Sequence, residues 1–74
     1  MQIQLSKANW GKLKIIKING GQTVLKKLET MGICESATIE KLISYHHGPV
    51  IVKAMNSQLA IGRGMAEKII VEEL

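Results

Sequence analysis

Glycine and a single proline cut this chain so often that each piece between them has room for one strand or one short helix. The chain is 74 residues long with 7 glycines, so one small domain spanning residues 1–74 is the expected organisation. Cys34 is the only cysteine; it allows no internal disulfide and fits a reducing compartment. A chain of this size buries only about 60% of the surface its unfolded form exposes. With one Trp, one Tyr and no Phe, the interior has to be built from Ile, Leu, Val, Met and Ala.

Periodicity assigns the pieces. Lys12–Ile18 reads as a strand in which Leu13 and Ile15 share one face and Ile16 and Ile18 the other, a change of phase that calls for a bulge or sharp twist. Its lysines at 12, 14 and 17 suit an exposed sheet edge. After Asn19-Gly20-Gly21 the period becomes helical: Val24, Leu25, Leu28 and Met31 fall on one side, Lys26, Lys27 and Glu29 on the other. Gly32 is placed to end this helix with a positive φ, and Ile33 to close over Leu28 in a Schellman-type cap. Ala37–Ile43 is a strand with Ala37 and Ile39 on one face. A polar loop, Ser44–Gly48, leads through Pro49 into a strand with Val50, Val52 and Ala54 inward. Asn56-Ser57 is read as a two-residue hairpin turn before Gln58–Ile61. Gly62–Glu67 has length for one helical turn, and Lys68–Glu72 closes the order with Ile69 and Val71 inside. The expected fold is mainly β, about five strands with one short α-helix and a helical turn before the last strand. Closure of such short strands into a small, strongly bent barrel removes exposed edges.

The composition excludes several functions. The longest stretch without a charged side chain is Leu42–Val52, which contains two His, a Gly and a Pro. A membrane helix needs roughly 20 apolar residues, and Met1–Leu5 alternates apolar with polar residues where a secretory signal would be basic and then apolar. The cytoplasm is the default location, with no direct insertion into a membrane. Ten Lys and Arg against six Glu give a net charge of +4, which favours acidic partners without choosing among them. Asp is absent, which thins the list of acid–base catalysts and metal cages.

The remaining motifs carry little chemistry. Gly62-x-Gly64 lacks the third glycine of a dinucleotide fingerprint, and no GxxxxGK[S/T] occurs; glycines at a barrel corner explain the pair. His46 and His47 are adjacent on a loop, and neighbours on an extended backbone point apart, so a metal site within one chain is not expected. A metal shared between two copies through His46, His47, Cys34 or a Glu, bridging a weak homo-oligomer, ranks above a site within one chain, but solvated loop histidines are the favoured reading. No carboxylate stands at a telling spacing from His46 to support Cys34 as a nucleophile, and Glu72-Glu73 reads as a solvated end. Neither a cofactor nor catalysis is expected. Lysines 7, 12, 14, 17, 26 and 27 offer a basic face to nucleic acid, but only Trp10 and Tyr45 are available for base stacking. The alternative of a nucleic-acid-binding barrel therefore ranks below protein binding. Lys26, Lys27, Glu29 and Met31 on the helix, with Arg63 and Met65 at the last corner, are the candidate partner-binding residues, since Met and Arg are enriched at interfaces; Leu28, Gly32 and Ala66 would support them.

Several of these residues also carry a resemblance. Leu5-Ser6, Gly11, Ile16 and Ile18, Gly20-Gly21 and Leu28-x-x-Met31-Gly32-Ile33, followed by Gly48-Pro49-Val50-x-Val52, Leu59-Ala60-Ile61-Gly62-Arg63 and Met65-Ala66-Glu67-Lys68-Ile69-x-Val71, resemble the FeoA family, ferrous iron transport protein A, over essentially the whole chain. Two places depart from the family pattern: Cys34-Glu35-Ser36 stands where a Pro-Gly turn is common, and Trp10 where a proline often precedes Gly11. The resemblance implies an SH3-like barrel. It also implies a cytosolic, non-catalytic accessory of bacterial ferrous iron uptake, peripheral at the inner membrane only through its partner, the membrane iron transporter with a GTP-binding domain. Similar barrels form the C-terminal domain of iron- and manganese-responsive repressors, but this chain lacks their DNA-binding domain.

Overall fold

A computed structural model describes all 74 residues. In chain order the elements are β1 (Gln2–Gln4), a 3-10 turn (Leu5–Lys7), β2 (Gly11–Ile18), α1 (Gln22–Glu29), β3 (Thr38–Ser44), β4 (Val50–Ala54), β5 (Ser57–Ile61), α2 (Arg63–Ala66) and β6 (Ile69–Glu73). The strands form one antiparallel sheet in the order β1-β6-β2-β3-β4-β5. It curls around a single aliphatic cluster to give a body of 27 × 24 × 24 Å. The mainly β barrel expected from periodicity is the observed architecture, with one strand more than counted. The additional strand is β1, whose three residues pair with β6 through Gln2↔Glu72, Ile3↔Val71 and Gln4↔Ile70. Closure is incomplete: β1 and β5 stand at the two ends of the ladder, and the edges are kept harmless by being only 3 and 5 residues long.

The core is as aliphatic as the composition requires. Leu5, Leu13, Ile15, Ile33, Ile39, Val50, Val52, Ile69 and Val71 are fully buried, and neither aromatic residue is among them. The phase change in β2 is a real bulge. Its register against β6 shifts between Ile15 and Lys17, which makes Ile16 the extra residue. Ile16 is half-buried, and Ile18 returns to the inner face with Leu13 and Ile15, so the expectation that Ile16 and Ile18 share the opposite face is corrected.

The lysines of β2 face solvent, but not from an edge: the strand lies between β6 and β3. What makes them tolerable there is cross-strand charge. Lys12 is opposite Glu40, which in turn is opposite Lys53, and Lys14 is opposite Glu72; opposite charges at paired positions stabilise a sheet modestly.

The helix ends as its sequence predicts. The Ile33 amide donates to the Leu28 carbonyl at 2.9 Å and the Gly32 amide to that of Glu29 at 3.0 Å, the paired hydrogen bonds of a Schellman motif. Gly32 has φ +82°, and a Cβ there would lie 2.6 Å from Met55 Sδ. Thr30 Oγ1 donates to the Lys27 carbonyl at 2.7 Å, occupying another free acceptor of the last turn. The β4–β5 turn differs from expectation by one residue. Ala54 pairs with Ser57, so the turn is Met55-Asn56, both with positive φ (52° and 62°), as a type I′ turn demands. Asn56 is in the turn as read; Ser57 already belongs to the strand.

Two constraints act on Gly32, and only one is backbone. Met55 is exposed and its side chain can swing away, whereas the positive φ cannot relax. Gly32→Ala is expected to cost about 1–2 kcal/mol in chemical denaturation, and the cost should persist in a Met55→Ala background. A loss that vanishes in that background would assign the glycine to side-chain clearance instead.

Candidate functional site

The most enclosed apolar surface lies where α1, β5 and α2 meet. Val24, Leu28 and Met31 come from the apolar stripe of α1 and its C-terminal turn, Leu59 and Ile61 from β5, and Met65 from α2; they line a groove of about 320 Å³. Lys27 stands on its rim. Leu28 and Ile61 are buried beneath, while Val24, Met31, Leu59 and Met65 are half-buried and present flexible or branched apolar surface. Residues of α1, β5 and α2 thus border the groove on its three sides.

Three of the six candidate partner-binding residues, Lys27, Met31 and Met65, are gathered at this groove. Lys26 and Glu29 are exposed on α1 outside it. Ala66 is fully buried and Leu28 nearly so, in keeping with a supporting role. Arg63 does something else. Its Nε donates to the Gly48 carbonyl at 3.0 Å and its Nη2 to Ser44 Oγ at 3.1 Å and to the Tyr45 carbonyl. The guanidinium thus holds the β3–β4 loop from α2. Planar, multiply donating arginine suits such a cluster of acceptors, and no spacing in the sequence reveals it.

A second anchor was also hidden. Lys41 is only 3% exposed, and its ammonium donates to the carbonyls of Leu5 at 2.9 Å and Ala8 at 2.7 Å, with a longer approach to Ser6 at 3.4 Å. Burial pushes its pKa below the usual 10.5; the Arg63 charge lowers it further and Glu73 partly offsets both. The carbonyls of the 3-10 turn and its following residue are what make the buried charge tolerable. The signal was the alternation Ala37, Ile39, Lys41, which places the lysine on the inner face of β3.

The remaining candidates are dispersed. His46 and His47 have ring centroids 3.9 Å apart at an angle of 56°, because His47 adopts φ 61°; the adjacent side chains therefore face each other rather than pointing apart as on an extended strand. No group of three or more His, Cys, Asp or Glu converges in the molecule. Cys34 is half-buried in the turn after α1. In the departure Cys34-Glu35-Ser36, Ser36 takes φ 73° and its amide donates to the Ile15 carbonyl at 2.7 Å. Glu73 Oε2 accepts the Asn9 amide at 2.7 Å, which ties the C-terminal strand to the segment before β2.

A small SH3-like barrel with an apolar surface groove is the class this arrangement defines. Comparison places it more closely: the FeoA domain family model matches residues 3–73, and the chain belongs to that family. A curated relative in Methanocaldococcus jannaschii, named Fe(2+) transport protein A, is 42% identical over 57 residues, which are 77% of this chain and 68% of the relative. The crystal structure of an iron uptake regulatory protein, FeoA, superposes with a TM-score of 0.91 at 36% identity, covering 100% of both chains. The FeoA protein of Chlorobium tepidum shares the fold at a TM-score of 0.85 and 23% identity, over 97% of this chain and 70% of that one.

Replacing Lys41 by Met keeps the length of the side chain but leaves the Leu5 and Ala8 carbonyls without their charged donor. The cost is expected to be about 2–3 kcal/mol in denaturant titration. Because the folded state holds the proton of Lys41 less tightly than the unfolded chain, the unfolded chain binds more protons between the lowered pKa and 10.5. The stability of the wild type relative to Lys41→Met should therefore increase with pH across that window, as paired melts at stepped pH will read. Arg63→Ala should speed hydrogen exchange at the Tyr45 and Gly48 amides, whose loop bonds to the Pro49 and Tyr45 carbonyls lose their brace, while β2 amides exchange as before.

Proposed function

We propose that this chain is a non-catalytic accessory of ferrous iron uptake that works on the cytoplasmic side by binding the membrane iron transporter and its GTP-binding domain. The observation that carries the reading is the groove between α1, β5 and α2: apolar, bordered by Lys27, and lined by two methionines. Methionine surfaces adapt to a partner's side chains with little strain, and a basic rim favours an acidic or amphipathic segment. Membership of the FeoA family supports iron transport as the setting, and no helix is long and apolar enough to cross a membrane. The nucleic-acid rival is weaker, because Glu40 and Glu72 interrupt the lysines of the outer sheet face.

Binding of the purified chain to the transporter's soluble cytoplasmic domain, with and without guanine nucleotide and Fe²⁺, tests this reading. Met31→Ser with Met65→Ser, or Lys27→Glu, should weaken binding by about tenfold or more while the fold persists by circular dichroism. Unchanged affinity in both variants would remove the groove as the contact.

A further inference from the structure

Leu59, Ala60 and Ile61 all line the groove, although consecutive side chains of a strand point to opposite faces. A recess that touches three successive strand residues runs along the strand's edge, and β5 is an edge: β4 is its only neighbour in the sheet. The tight turn fixes which backbone groups lie there. Ala54 and Ser57 flank Met55-Asn56, so they are the hydrogen-bonded pair that closes a two-residue hairpin, and Leu59 and Ile61 bond to β4 in the same way. The N–H and C=O groups of Gln58 and Ala60 therefore point away from β4. No turn, loop or side-chain hydrogen bond takes them up, and both residues are exposed. Apart from its shortness, β5 has none of the usual guards of an open edge: Ser57–Ile61 holds no charge, no proline and no bulge.

We infer that β5 takes up an extended segment of a partner protein as a further strand, laid along its edge in the groove, with apolar side chains at alternate positions and a carboxylate for Lys27. The inference rests on the reading of the groove as the partner contact and states the form of what fills it. In strand addition the backbone pairing supplies affinity and the recess beside the edge selects the side chains. Alternate residues of the added strand face the apolar lining, which asks for apolar side chains there. Lys27 is the only charged residue in that lining, so an acidic segment is the complement. A helical segment satisfies its own backbone and leaves Gln58 and Ala60 unanswered. A second copy of this chain brings another Lys27, and no carboxylate from its own groove, to the seam.

The probe is a short synthetic peptide that alternates valine with threonine and ends in glutamate, added to the whole chain. Hydrogen exchange at the Gln58 and Ala60 amides should slow by about tenfold, while the Leu59 and Ile61 amides, already bonded to β4, change less. N-methylation of the peptide at the alternate positions that face β5 should abolish this protection, and lysine in place of its glutamate should weaken binding by about fivefold. Ala60→Pro removes an edge N–H without taking a bond from β4, and should weaken peptide binding by about tenfold with the fold retained by circular dichroism. Gln58→Pro makes the same test should the first variant unfold. No protection at millimolar peptide overturns the inference, as does binding that N-methylation leaves unchanged. Protection that rises only with the concentration of the chain itself also overturns it and signals self-pairing. The transporter's soluble cytoplasmic domain separates the two readings. If it binds Ala60→Pro and the wild type equally, docking stands and strand addition falls; if the peptide is captured and the domain is not, strand addition stands and that partner falls.

Discussion

The ammonium of Lys41 is the constraint around which the rest is arranged. An aliphatic interior accepts a charge only where fixed dipoles replace water, and here the dipoles are backbone carbonyls of residues Leu5 to Ala8. That requirement sets the conformation of the 3-10 turn. The turn then delivers β1 to the edge of β6 and buries Leu5 against the same cluster. It also brings the turn beside α2, so one side chain on β3 organises the N-terminal segment and one wall of the helical corner. Arg63 completes the link by reaching from that corner to the β3–β4 loop.

One apolar surface follows from this frame. On the helix side, α1, β5 and α2 border a recess with the sulfur-bearing side chains of Met31 and Met65 at its lips. An interior made wholly of Ile, Leu, Val and Ala frees the two aromatic residues for the exterior.

Much of this was legible from the chain. Period alone locates β2, α1 and β4, and the phase change between Leu13/Ile15 and Ile16/Ile18 signals the bulge, though it puts Ile18 on the wrong face. The Leu28-x-x-Met31-Gly32-Ile33 run encoded the helix stop because each step of a Schellman motif is local. What escaped was whatever depended on a distant partner. β1 has three residues and becomes a strand only through β6. The buried role of Lys41 is invisible locally, because nothing in the sequence announces three carbonyls supplied from 33 to 36 residues away. The brace that Arg63 forms is hidden for the same reason: its acceptors lie 15 to 19 residues back along the chain. The hairpin turn was misplaced by one position since Asn56-Ser57 and Met55-Asn56 are equally polar at one end, and only the register of Ala54 with Ser57 decides.

The pairing of β1 with β6 has a topological consequence. Gln2 stands opposite Glu72, so the first and last strands of the domain leave its body side by side. A short linker could join them, and the chain could be reopened between Met55 and Asn56 without losing any strand. The same adjacency allows the whole barrel to be spliced into a surface loop of another protein as a self-contained insert.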